Sequence, residues 1–147
     1  MGPKPFDIQD RHDLTAEQID ALEDRLYAFN AAQTGYHDAA PLAFVAEVEG
    51  EPIGAAAGFT WGGVCELRQV WVHEDYRGHG LGRSLLSRAI QEARDRKCAY
   101  VFLATYDFQA SAFYAKLGFV AVAEIRDKPL GHTDIVMRLS LRESIPG

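Results

Sequence analysis

Three glycines in five positions, Gly78, Gly80 and Gly82, separate an alternating apolar run that ends at Val72 from a run with helical spacing that begins at Leu81. A strand that enters a glycine turn and leaves it as a helix points several backbone N–H groups at one spot, at the positive end of the helix dipole. Such a spot suits phosphate, and glycine lets the main chain approach closely. Two phosphate-binding patterns fail on this stretch. The P-loop needs Lys and then Ser or Thr after its last glycine, whereas Arg83 follows Gly82. The dinucleotide fingerprint needs a third glycine three places after its second, and that place after Gly80 holds Arg83. What remains is Arg77, two residues, Gly80, one residue, Gly82, a pattern that a tight strand-to-helix connection could also carry.

The other reactive side chains are scattered. Cys65 and Cys98 sit 33 residues apart in apolar runs, with neither a disulfide framework nor a zinc spacing, and read as small core residues. Ser111 and Cys98 have no activating base nearby in the sequence, which argues against an acyl-enzyme. No histidine has a ligand partner at helical or hairpin spacing, so no metal is expected.

A chain of 147 residues fits a single domain with one core, expected here over 1–147. Hydrophobic residues make up 48% and charged residues 24%, as in ordinary globular proteins. Fifteen basic against 21 acidic residues give a net charge of −6, which opposes attraction to nucleic acid or to an anionic membrane and suits an amine partner. No apolar stretch has the length of a membrane span, and MGPKPFDIQD carries neither a secretory signal nor a myristoylation pattern, so the cytoplasm is the expected location.

The elements that would position the glycine turn follow from periodicity. Thr15 and Gln18 form a capping-box pattern, and Ile19, Leu22, Leu26 and Phe29 then give one helix a packed face. Gly35 to Pro41 reads as a loop or an irregular second helix. LAFVAEVE, IGAAAGFTW and VCELRQVWV, joined by GEP and GG, make an antiparallel meander. Leu81, Leu85, Leu86, Ala89, Ile90 and Ala93 form the stripe of a helix that ends near Lys97 and crosses to a parallel strand, AYVFLAT, expected to be covered on both faces. Asp107 can cap a short helix with Ala110, Phe113, Tyr114 and Leu117 on one face and Gly118 as its left-handed stop. The strands FVAVAEI and TDIVMRLSL flank the loop RDKPLGH.

RGHGLG, this order of elements and FQASAFYAKLGF together resemble the GNAT superfamily of acyl-CoA-dependent N-acyltransferases, whose hallmark is Arg or Gln, two residues, Gly, one residue, then Gly or Ala. The resemblance implies an α/β fold of the α+β kind: a mixed, mostly antiparallel sheet flanked by helices, with splayed strands holding CoA. It implies that acetyl-CoA is the co-substrate, that the turn Arg77, Gly78, His79, Gly80, Gly82 and Arg83 binds its pyrophosphate through backbone N–H groups, and that Val70, Trp71 and Val72 pair with the pantetheine arm. Because the superfamily accepts Gln in place of Arg77, this arginine is assigned to the turn. The reaction implied is direct attack by a primary amine in a ternary complex. A lysine-like amine of pKa about 10.4 must lose a proton at a cost of roughly 4 kcal/mol at pH 7, and a positioned base repays about 10²- to 10⁴-fold in rate.

Glu66, eleven residues before Arg77, is the candidate base by its similarity to members that use a strand glutamate; an ion pair with Arg68 is its alternative. Tyr114 falls where the superfamily often has a tyrosine near the thioester sulfur. Proton transfer from a phenol to a thiolate runs uphill by roughly 2 kcal/mol, which favours hydrogen-bond donation over full transfer. Where many relatives carry Asn this chain has Asp107, leaving that contact open. For the acceptor, Tyr36, Asp38, Trp61 and His132 lie on the segments that usually meet it, alongside His37 and Phe59. A homodimer is compatible with the superfamily. A non-catalytic acyl-CoA sensor and a nucleotide-binding module are the rival readings, and retention of both Glu66 and Tyr114 argues against the sensor.

Overall fold

The computed structural model describes residues 2–142, so the expected domain over 1–147 includes Met1 and residues 143–147, which lie outside the described residues. The chain separates into two compact units, one ending at Tyr36 and the other beginning at His37.

In the first unit the capping box forms as expected: Gln18 N donates to Thr15 Oγ1 at 3.1 Å and Thr15 N donates to Gln18 Oε1 at 3.0 Å. The one helix expected there is two, α1 (Ala16–Ala21) and α2 (Glu23–Thr34), with Leu22 between them and Gly35 ending α2 at φ 80°. Ile19, Leu22, Leu26 and Phe29 are exposed rather than packed. A unit of this size has too few side chains of its own to cover such a stripe.

The second unit is built on a six-stranded sheet. The strands β1 (Ala40–Val48), β2 (Glu51–Trp61) and β3 (Val64–Val72) form the expected meander. Both turns have positive φ at two successive residues, Glu49 and Gly50 (51° and 82°) and Gly62 and Gly63 (59° and 80°). That geometry matches the strand twist and fixes the register of each hairpin. From β3 the chain passes through the glycine turn into α3 (Leu81–Asp95) and crosses over to β4 (Tyr100–Tyr106), which pairs with β3 in parallel. Then follow α4 (Ser111–Lys116), β5 (Val120–Arg126) and β6 (Thr133–Ser140), in the sheet order β1-β2-β3-β4-β6-β5.

Leu85, Leu86, Ala89 and Ala93 of α3 are buried in one cluster with Leu42, Ala56, Cys65, Leu67, Val101 and Leu103. Burying each large aliphatic side chain stabilises by about 1.5–3 kcal/mol. Gly54 lets the helix sit close, because a Cβ there would lie 3.1 Å from Leu85 Cδ1 and 3.2 Å from Leu81 Cδ2. The cluster occupies one face of the sheet. Hence β4 alternates, with Val101, Leu103 and Thr105 buried and Ala104 exposed, where coverage of both faces was expected.

Both cysteines are free and buried, in agreement with a core role. Burial pushes the Cys65 thiol up to about 12. A thiol that holds its proton more tightly folded than unfolded contributes stability that is complete below the unfolded value and is lost as pH rises through the folded one. Urea unfolding is therefore expected to show about 2 kcal/mol less stability at pH about 10.5 than at pH about 8 from this group. Cys65→Ala should lose correspondingly less over the same interval; an equal loss in variant and parent would place the alkaline sensitivity elsewhere.

Candidate active site

The parallel ladder between β3 and β4 runs from Val64 opposite Tyr100 to Leu67 opposite Leu103 and stops there, although both strands continue. Its end coincides with a bulge. On the other side of β3, Gly58 pairs with Leu67 and Ala57 with Gln69, so Arg68 is an extra residue with no partner in that register. A bulge bends its strand and increases local twist, and here it turns the second half of β3 away from β4. The cleft left between them is lined by Leu67, Arg68, Val70, Leu103, Ala104, Thr105, Gln109, Ala110 and Tyr114. Along it run backbone groups of Arg68 to Val72 that β4 does not engage.

β3 leads directly to the glycine turn. Gly78 and Gly80 both take φ 81°, a left-handed conformation costly for other residues, and a Cβ on either would face open space. Gly80 begins α3 without a side-chain cap. Ser84 N donates to Gly80 O at 3.0 Å, and among the described residues the N–H groups of Leu81, Gly82 and Arg83 have no acceptor. A Cβ at Gly82 would meet Phe113 and Val72 at 3.5 Å, an ordinary contact, which fits a pattern that accepts Gly or Ala there. Arg77 Nε donates to Val72 O at 3.0 Å, tying the turn to the strand that feeds it. His79 and Arg83 are exposed on the turn, and Trp71 is exposed with its ring edge-on to His73 at 6.2 Å.

Tyr114 comes up from α4 with its ring against Phe113 and Phe119 and 7% of its surface exposed. Burial raises its phenol above the ordinary tyrosine value, so the hydroxyl stays protonated. Among the described residues that hydroxyl makes no hydrogen bond, and since no buried polar side-chain atom there lacks a partner, it opens on the cleft that Tyr114 lines. It is a neutral donor available to whatever enters. Glu66 lies next to the bulge, its Oε2 3.4 Å from Arg68 Nη2, and Arg68 stands over the Phe59 ring at 4.9 Å. The ion pair expected as the alternative for Glu66 is thus present, and it is long for a charge-assisted bond.

Asp38, Trp61 and His132 do not line the cleft. Asp38 accepts from Gly62 N at 3.0 Å, and Trp61 is beside it at the β2–β3 turn, where β3 begins. That is the opposite end of β3 from the glycine turn. Tyr36 closes the first unit and is half exposed. His132 lies on the β5–β6 loop with its Nδ1 3.0 Å from Asp107 Oδ1 and its ring edge-on to Phe108 at 4.9 Å. Asp107 is not the helix cap that its position suggested: α4 starts at Ser111 behind Ala110 with no side-chain cap. Its second oxygen instead accepts from Thr133 N at 3.0 Å, because the β5–β6 loop lies nearer to it than the helix start. A carboxylate only accepts, so the proton of this pair is on His132 Nδ1.

Gln109 was not among the expected site residues. Its Oε1 accepts from Tyr106 N at 2.8 Å and from Thr105 Oγ1 at 3.2 Å. With the oxygen fixed in this way, the two N–H donors of the amide remain for the cleft. A glutamine in FQA carries no signal of that role until the strand end folds back onto it.

Four likenesses bear on this geometry. The model of the acetyltransferase (GNAT) family matches residues 7–119. Acetyltransferase Atu2258 of Agrobacterium fabrum is 30% identical over 121 residues, covering 82% of this chain and 87% of that protein. A solved Agrobacterium tumefaciens structure assigned as an acetyltransferase superposes with a TM-score of 0.80 at 26% identity, over 93% of this chain and 99% of the other. An aminoglycoside 6'-N-acetyltransferase complexed with coenzyme A has the same fold at 16% identity, TM-score 0.63, over 95% and 98% of the two chains. The chain belongs to the GNAT acetyltransferase family, and its mixed six-stranded sheet is that family's fold.

Proposed function

We propose that the protein is an N-acetyltransferase that moves an acetyl group from acetyl-CoA to the primary amine of a small molecule, by direct attack in a ternary complex. The observation that carries this reading is the cleft at the end of the β3–β4 ladder, with a protonated phenol on one wall and a glycine turn at the end of the strand that forms the other. The relatives support the donor and a small acceptor: one solved neighbour of this fold holds coenzyme A and is named for an aminoglycoside.

The residues fit acetyl-CoA. The N–H groups without acceptors at the start of α3, together with those of His79 and Gly80, would receive the pyrophosphate at the positive end of a helix of 15 residues, and Arg83 adds charge. The unpaired edge of Val70 to Val72 would receive the pantetheine amides as a strand edge receives a neighbour. Arg77 holds the turn in shape and makes no direct contact in this reading. Glu66 takes a proton from the attacking amine, through water, and Tyr114 donates a hydrogen bond to the sulfur as negative charge builds there.

Thiol release from acetyl-CoA, measured against polyamines, aminoglycosides, amino acids and peptide amines, tests the reading when acetyl-CoA binding is followed on the same sample. Amine-dependent release supports it. Binding with no release from any amine would favour a sensor, and no binding would remove the glycine turn from the argument.

A further inference from the structure

Arg68 is the one charged residue that lines the cleft, and it is the residue left without a partner at the bulge. Two residues apart on one strand, Glu66 and Arg68 share the face that also carries Phe59, the cross-strand partner of Glu66, and the Arg68 guanidinium lies over that ring and towards Glu66. The outcome is a carboxylate and a guanidinium 3.4 Å apart, with 38% and 51% of their side chains exposed, where the cleft begins. A pair that long and that exposed is weakly bound. Each partner keeps most of its hydrogen-bonding capacity: Arg68 has five N–H donors, of which one is used at a long distance, and Glu66 has a second oxygen.

Two opposite charges so close together are complementary to a molecule that carries the same two charges in reverse order. The ammonium and carboxylate of an α-amino acid are separated by a single carbon, which is the spacing such a pair can meet at both ends. Resting on the acetyltransferase reading above, we propose that the acceptor is a free α-amino acid, its carboxylate held by Arg68 and its amine beside Glu66. Anchoring the carboxylate at the bulge keeps the amine within the cleft that Tyr114 lines, and Phe59 beneath the guanidinium fixes the fork that a carboxylate needs. An amine without the carboxylate would leave Arg68 paired only with Glu66, and would compete with Arg68 for that same carboxylate.

The step balances as follows. The ammonium gives one proton to Glu66 and on to water; the nitrogen then attacks the thioester carbonyl carbon, the C–N bond forms and the C–S bond breaks. The leaving thiolate takes up the nitrogen's second proton, so the products are an N-acetyl amino acid, free CoA thiol and one released proton.

The test uses the full chain with acetyl-CoA and matched sets of acceptors: glycine, glycinamide and methylamine; L-phenylalanine, L-phenylalaninamide and phenethylamine; L-methionine and L-methioninamide. The free acid of at least one set is expected to exceed its amide and its decarboxylated amine by about ten-fold or more in kcat/KM, as for loss of a charge-assisted pair. In Arg68→Met that ratio should fall to near one, and in Arg68→Lys part of it should return; thermal unfolding and CoA binding confirm that both variants are folded. Amides or simple amines that match the acids, or a preference that survives in Arg68→Met, would overturn the proposal. If no amine of any kind releases thiol, the acetyl-transfer reading has failed, and binding decides the acceptor class separately. With the protein saturated in CoA, L-phenylalanine but not L-phenylalaninamide should shift the Arg68 Nε–H resonance; an unmoved resonance would overturn the amino-acid site as well.

Discussion

Tyr114→Phe is expected to lower kcat by about ten- to a hundred-fold while CoA affinity and thermal stability stay nearly constant. The magnitude follows from one hydrogen bond to a group that becomes charged only as the reaction proceeds, worth about 1.5–3 kcal/mol at 1.36 kcal/mol per decade. Stability should hold because the hydroxyl has no partner to lose among the described residues, while the ring that packs against Phe113 and Phe119 is retained. Affinity should hold because an uncharged sulfur in the thioester accepts hydrogen bonds poorly, so the contact is made mostly in the transition state. The raised phenol adds a condition on pH: a tyrosine held neutral by burial keeps its proton above the ordinary value of about 10, so its ionisation should leave the rate unaffected below that pH. Single-turnover acetyl transfer with saturating acetyl-CoA is the decisive measurement. An unchanged rate removes Tyr114 from the chemistry, and a rate loss accompanied by an equal loss of CoA affinity makes it a packing residue.

The parts of this molecule that were legible in its sequence are those written in short-range chemistry. β3 has the bounds read from VCELRQVWV because two glycines with positive φ end the strand before it, and the stop at Gly118 and the box at Thr15 and Gln18 follow from backbone geometry within a few residues. What was not legible depends on distance. Asp107 looks like a cap when only its own helix is considered, and it binds His132 and Thr133, 25 and 26 residues on, because the β5–β6 loop returns to it in space. Asp38 reads as a free anion for an acceptor, and it caps a turn 24 residues away. The bulge at Arg68 shows in β3 as a slip of phase: Cys65 and Leu67 face the core before it and Val70 and Val72 pack against the core after it, with Arg68 and Gln69 both exposed between, a break that short-range alternation leaves without a cause. A second trace is on the neighbouring strand, at Gly58.

That trace sets the second expectation: Gly58→Ala should destabilise the protein by several kcal/mol and should abolish binding of acetyl-CoA in whatever fraction remains folded. Gly58 is buried and pairs with Leu67 at the bulge. A Cβ there would fall inside the Glu66 carbonyl oxygen, with the Glu66 carbonyl carbon at 2.8 Å and Leu67 Cα at 2.9 Å. These are backbone atoms of a central strand, held on the other side by the ladder to Phe102 and Leu103, so no side-chain rotation can relieve the clash. Either β2 must leave β3 or the bulge must migrate, and steric costs of this kind in a packed interior are usually about 1–3 kcal/mol or more. The same displacement reaches function. The outward turn of β3 depends on Arg68, the extra residue next to the Gly58–Leu67 pair, so a variant that heals the bulge would carry the ladder past Leu67 and Leu103 and close the cleft. Urea unfolding reads the first effect and acetyl-CoA titration the second. A Gly58→Ala protein of parental stability that binds acetyl-CoA normally would show that the bulge can be repacked, and would separate the divergence of β3 and β4 from the residue to which it is attributed here.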